Sequence, residues 1–161
     1  MTALIDIQLV YDGDDVIAAQ IPSAEDLQRW GDTVLAYLAL GEQEFTARFV
    51  GEKESRTLNY QYRGIDKSTN VLSFPFESPP GIELPLLGDL VICAPVIGAE
   101  AKAQNKQVTN HYAHMIVHGI LHLLGYDHIN DADAQEMEAL EIRILAELGI
   151  DDPYQDDYFD N

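Results

Sequence analysis

The stretch from Val108 to Leu124 constrains this chain more than any other. It reads as one helix, stopped by Gly125. All five histidines lie between positions 111 and 128. At about 100° per residue, a regular helix puts His111, His114, His118 and His122 within an arc of about 80°. His118 and His122 are one turn apart, so both rings can reach a single ion. Gly125 then breaks the helix and lets the chain turn back, which brings His128 in as a third ligand.

The resulting spacing, H-x-x-x-H-x-x-G-x-x-H, is the ligand and glycine spacing of the metzincin metalloproteases. Three neutral imidazoles suit one zinc ion per chain and leave a fourth position for water. A structural zinc usually has four protein ligands, often cysteines. The chain has one cysteine, Cys93, in the apolar run Leu90–Ala94, where it reads as a core residue. His111 and His114 read as capping or hydrogen-bonding residues. Asp127 reads either as a partner for a ligand imidazole or as a turn aspartate.

Gly119 separates this pattern from a protease. A metzincin carries glutamate directly after the first histidine, as general base. Glycine cannot take a proton. A hydrolase without that base can still use the metal, which lowers the pKa of bound water from ~15.7 to about 7. At ~1.4 kcal/mol per unit, that eases deprotonation by about 12 kcal/mol. A phosphodiester fits such a centre if a cation meets its charge.

The rest of the chain supplies few strands and many helices. Leu4–Val10 alternates as a strand, with a polar turn at 11–15. Ser23 caps a helix carrying Leu27, Trp30, Val34 and Leu38, with Gly41 as its expected stop. Phe45–Val50 is a strand, and Glu52–Tyr62 a helix ending at Gly64. Asn70–Phe76 and Asp89–Ala94 are strands, with a Pro/Gly loop between them. Pro95 opens a helix to about Lys106, and a last helix runs from Asp131 to Leu148. The expected fold is α+β: a small mixed sheet of about four strands packed with about five helices, with a metzincin-like helix and turn for the metal. Residues 1–150 are expected to form one hydrolase domain and 151–161 an acidic, poorly ordered tail.

The formal charge is −19, and it is unevenly spread. Residues 108–161 hold 12 acids and one base, whereas 61–107 hold 5 acids and 4 bases. Lys53, Arg56, Arg63 and Lys67 fall within 15 positions. On charge alone that cluster is a solvated helix face, with a local anion site as the sharper alternative. The N-terminus lacks a basic region followed by an apolar stretch, and no run reaches the ~20 apolar residues of a membrane span. A cytoplasmic location and no membrane partner are therefore expected.

Three strings carry a resemblance. The first is His118-Gly119-x-Leu121-His122-Leu123-x-Gly125-Tyr126-Asp127-His128. The second runs Leu58-Asn59-x-x-Tyr62-Arg63-x-x-Asp66-x-x-Thr69-Asn70-Val71-Leu72-Ser73-Phe74-Pro75, and the third is Leu87-Gly88-Asp89-Leu90-Val91-Ile92. In these the chain resembles the YbeY family of bacterial ribosomal-RNA maturation factors over most of its length. The resemblance implies a single-strand-specific endoribonuclease that binds zinc through His118, His122 and His128. It implies action on the 16S rRNA precursor, in 3′-end maturation and ribosome quality control. Small ribosomal subunit proteins and a ribosome-assembly GTPase are the implied partners. It also marks Arg63 as a catalytic and substrate-binding residue, where a planar guanidinium grips two phosphate oxygens. Lys67 is a second candidate for substrate contact. The rival readings are a metzincin-like metallopeptidase and a non-catalytic ribosome assembly factor with a structural metal. The net acidity predicts weak binding to free RNA and delivery of the substrate by a protein partner.

Overall fold

The computed structural model describes residues 3–127 and 129–154. Four strands form one mixed sheet: β1 (Ala3–Leu9), β2 (Gln43–Val50), β3 (Val71–Pro75) and β4 (Leu86–Cys93). Their spatial order is β1-β2-β4-β3. The first two pairings are parallel, and β3 joins β4 antiparallel. The helices are α1 (Asp15–Ala19), α2 (Ala24–Tyr37), α3 (Glu52–Arg63), α4 (Ala94–Ala103), α5 (Val108–Leu123) and α6 (Asp131–Glu147). This is the expected α+β fold, with one helix more than the sequence pattern announced.

That extra helix, α1, follows the expected polar turn. Asp14 caps it, accepting hydrogen bonds from Val16 and Ile17 amides at 2.9 and 3.0 Å. Five residues with no fully buried side chain leave no periodic signal to read. The end of α2 also departs from expectation. It stops at Tyr37 rather than near Gly41, and Ala39 takes the left-handed conformation at φ 55°. The Leu40 amide donates back to the Leu35 carbonyl at 2.8 Å, which folds Leu38 and Leu40 against the core.

Strand alternation gives the sheet two unlike faces. Phe45, Ala47 and Phe49 of β2, with Leu90 and Ile92 of β4, join Trp30, Tyr112, Ile116 and Ile120 in the main core. The opposite face is covered only in part, where Leu58 of α3 meets Leu72, Phe74 and Val91. Helix α5 passes through the centre and touches α2, α4, α6, β3 and β4. It is buried nearly all round, so His111 and His114 look into packed structure, while His118 and His122 are half-buried and face an open cleft.

Two glycines set how close the site's walls stand. Gly88 has φ 136°, and a Cβ there would overlap the carbonyl oxygen of Phe74 on the paired strand. Only glycine lets β3 lie in this register beside β4. Gly119 is a packing glycine. A Cβ would stand 2.8 Å from Cδ2 of the fully buried Leu90, so α5 rests directly on the sheet.

The expected tail is in part docked. The Lys106 ammonium donates to the Pro153 carbonyl at 3.0 Å, and Tyr154 reaches the interior. Residues 155–161 lie outside the described residues.

Candidate functional site: a histidine cleft

The second motif of the sequence is largely a staple. The Ser55 hydroxyl donates to the Thr69 carbonyl at 3.1 Å and accepts from the Thr69 amide at 3.0 Å. The Asn59 amide donates to the Lys67 carbonyl at 2.8 Å. Asn70 accepts from the Val71 amide at 2.7 Å and donates to both Glu100 oxygens at 3.2 Å. These bonds tie α3 and α4 to the start of β3. They fix the last turn of α3, which carries Tyr62 and Arg63, against the strand.

Between that turn, β3 and the C-terminal half of α5 lies a cleft of about 720 Å³. Arg63, His118, His122 and Asp127 all line it. His118, His122 and Asp127 belong to one local string, and the fold brings Arg63, distant in the chain, into the same cavity. Lys67 is exposed and does not line it; its carbonyl serves the staple instead. Arg56 is bound to Asp66 at 2.7 and 3.1 Å, and Arg48 to Glu54 at 2.6 and 3.1 Å. Arg63 has no ion pair among the described residues, so of these arginines it alone keeps a guanidinium for a ligand in the cleft.

The His118 and His122 rings meet at their Nε2 atoms, 3.1 Å apart. The other side of His118 is held by Glu141, whose Oε1 lies 3.2 Å from Nδ1. Glu141 has no solvent exposure. Its Oε1 also takes His114 Nε2 at 2.7 Å and the Tyr154 hydroxyl at 3.0 Å. Burial pushes the Glu141 carboxyl up, but the hydrogen bonds from His114 and His118 outweigh it and hold the pKa at about 2. An ionised carboxylate only accepts, so both rings must present N–H to it. A neutral His118 is then protonated on Nδ1 and carries its lone pair on Nε2, facing His122. Burial pushes His114 down, which keeps it neutral beside the carboxylate. Burial and the Glu141 charge both push the Tyr154 phenol up, so it stays a donor.

The chemistry of this donor set fits zinc. Bonds of 2.0–2.1 Å in a tetrahedron put two ligand nitrogens about 3.3 Å apart, close to the observed 3.1 Å. A carboxylate on the far nitrogen is the usual support for such an imidazole. Among the described residues, no group of three or more His, Cys, Asp or Glu side chains is gathered as a metal site. The expected third ligand, His128, lies outside the described residues.

His111 lies apart from this cluster. It is buried and bonds Glu100 at 3.0 Å, as the hydrogen-bonding reading expected. Glu141 and Tyr154 were not anticipated. The signal for Glu141 was present: it falls among Met137, Ile144 and Leu145 on the buried stripe of α6. An acid on an apolar stripe has to find partners inside. Tyr154 carried no signal, since it sits in an acidic, aperiodic segment.

The fold and cleft together define a small α+β protein with a histidine-carboxylate centre facing a lone arginine. The family model described as Endoribonuclease YbeY matches residues 15–149. The Endoribonuclease YbeY of Alteromonas mediterranea is 62% identical over 157 residues, covering 98% of this chain and 99% of that protein. The chain belongs to the YbeY family. A solution structure of TM1509 from Thermotoga maritima superposes with a TM-score of 0.57 at 24% identity, over 90% of this chain and 91% of that one. At that identity the likeness is one of fold.

Proposed function

We propose that this chain is a zinc-dependent endoribonuclease that cuts single-stranded RNA. The observation that carries the reading is the 3.1 Å approach of His118 and His122 Nε2 in a cleft that Arg63 also lines. His118, His122 and His128 would hold one Zn²⁺ per chain. Bound there, the ion supplies a Lewis acid and makes water acidic enough to act near neutral pH. Glu141 keeps the His118 proton on Nδ1 and frees Nε2. Arg63 presents a bidentate donor to the scissile phosphate and meets the charge that develops on it.

The peptidase reading loses ground at Gly119. The position faces Leu90 of the sheet, and a glutamate there would have to displace the core before it could act as a base. The cleft is rimmed by β3, the last strand of the sheet, and an extended single strand can lie along such a rim. Family membership supports action on the 16S rRNA precursor, in 3′-end maturation and ribosome quality control, within the cytoplasm. Among the described residues no helix is long and apolar enough to cross a membrane. The net charge of −19 favours delivery of RNA by partners, for which small ribosomal subunit proteins and a ribosome-assembly GTPase are the candidates. Residues 1–150 would act as one hydrolase domain, with 151–161 as its tail.

The test is metal analysis joined to cleavage of a single-stranded RNA. Wild type is expected to hold one zinc per chain, to lose cleavage on chelation and to recover it with zinc. His118→Ala is expected to lose both metal and cleavage. Full cleavage by the zinc-free His118→Ala protein would sink the reading.

A further inference from the structure

The cleft does not end at Tyr62. Tyr62 is 67% exposed, and its ring packs edge-on against Phe74, with centroids 5.0 Å apart and planes at 69°. Both rings also wall a second pocket, of about 440 Å³, on the partly covered face of the sheet. The two cavities therefore share an aromatic partition. On one side stand the histidines and Arg63. On the other the floor is apolar, and Thr46, Arg48 and Asp89 stand around it.

This second pocket is unsuited to phosphate. Its one guanidinium, Arg48, is already committed to Glu54 and to Gln8, the latter at 2.9 Å. The Gln8 amide, also on this wall, accepts from Arg48 and donates to Asp6 at 3.0 Å. What remains is the Thr46 hydroxyl and the Asp89 carboxylate, which has no hydrogen bond or ion pair among the described residues. An exposed aromatic face beside an acceptor-only edge group matches the chemistry of a nucleobase. Single-stranded RNA is read by stacking bases on aromatic rings and bonding their edges. A carboxylate pairs with an exocyclic amine, as with the amino group of cytosine. Uracil sets a carbonyl oxygen on each side of its single N–H, and both would face the carboxylate unfavourably.

We infer that this pocket holds one base of the substrate, stacked on Tyr62, with Asp89 selecting bases that carry an exocyclic amine over uracil. The inference rests on the reading of the neighbouring cleft as the RNA site, and it adds a base preference that the cleft itself cannot supply. The nucleotide is the neighbour of the one whose phosphate meets Arg63.

Two readouts separate this inference from that reading. The zinc-loaded protein is titrated with AMP, CMP, GMP and UMP while backbone amide shifts are followed. AMP, CMP and GMP are expected to shift Thr46, Tyr62 and Asp89 saturably, with UMP roughly tenfold weaker. Asp89→Asn should bring UMP within about threefold of CMP, and Tyr62→Ala should weaken all four by roughly tenfold. Equal binding of UMP and CMP to wild type, or shifts confined to the histidine cleft, overturns the pocket. In parallel, single-stranded RNAs carrying one abasic position are tested for cleavage. One position next to the cut is expected to lose roughly tenfold when abasic in wild type, and to lose nothing further in Tyr62→Ala. Cleavage indifferent to every abasic position overturns the base pocket while leaving the endoribonuclease reading intact. Failure to cut any RNA, with the nucleotide shifts present, does the reverse.

Discussion

His118 Nδ1 lies 3.2 Å from Oε1 of Glu141, a carboxylate sealed from solvent. The pair links the cleft to α6, whose sequence carries none of the motif residues. It makes the orientation of the His118 imidazole depend on an acid 23 residues further along the chain.

Replacing that acid should loosen the metal without touching a ligand. Glu141→Ala is expected to weaken zinc affinity by roughly 10–100-fold. Competition with a chromophoric chelator measures it. An affinity within twofold of wild type would mean that the ring is oriented by something else.

Arg63 is expected to act on RNA alone. Arg63→Glu should lower kcat/KM for single-stranded RNA by on the order of 100-fold while zinc content stays at the wild-type level. Arg63→Lys should recover only part, because an ammonium cannot grip two oxygens at once. If loss of cleavage tracked loss of zinc across these variants, Arg63 would be a structural residue.

Gly119 carries a packing requirement. Gly119→Ala forces a methyl to 2.8 Å from Leu90 Cδ2, where Leu90 has no exposed side to yield toward. The expected loss is about 1–3 kcal/mol, read as a lower denaturant midpoint at unchanged m-value. A neutral result would show that α5 can lift from the sheet, and would reopen the position to larger residues.

Glu100 gives an acid-dependent contribution outside the histidine cleft. Burial raises its carboxyl pKa, but hydrogen bonds from His111 and Asn70 bring it below the ordinary 4.5. A depressed folded-state value means the carboxylate stabilises the fold fully above 4.5, and that this is lost as pH falls below it. Glu100→Gln should therefore be less stable than wild type at pH 7, with the gap closing below about pH 4.5. Urea unfolding at pH 7, 5 and 3.5 follows it. A gap constant with pH would assign the effect to packing.

The residues around the histidines were legible because the motif is local. A helix of known period, a glycine stop and a spacing rule put His118 and His122 on one face without any tertiary information. The strand alternation of Leu4–Val10 and the Ser23 cap were legible for the same reason. Glu141 and Tyr154 were not, because what makes them part of the site is a contact with α5, 23 and 40 residues away from the histidines they touch. The place of Lys67 outside the cleft was hidden for a related reason. Its side chain offered charge in the right neighbourhood, while the fold uses its backbone carbonyl and turns the ammonium outward.

Among the described residues, strand β3 is the last in the sheet, and its outer backbone rims the cleft without a partner strand. An open edge of N–H and C=O groups is also the surface through which β proteins stick to one another. Here the edge is five residues long and closes on Pro75, which has no N–H to give. The same brevity that leaves room for a guest strand denies a foothold to a second copy. Lengthening β3, or replacing Pro75 with a β-branched residue, would trade a selective opening for a self-association hazard.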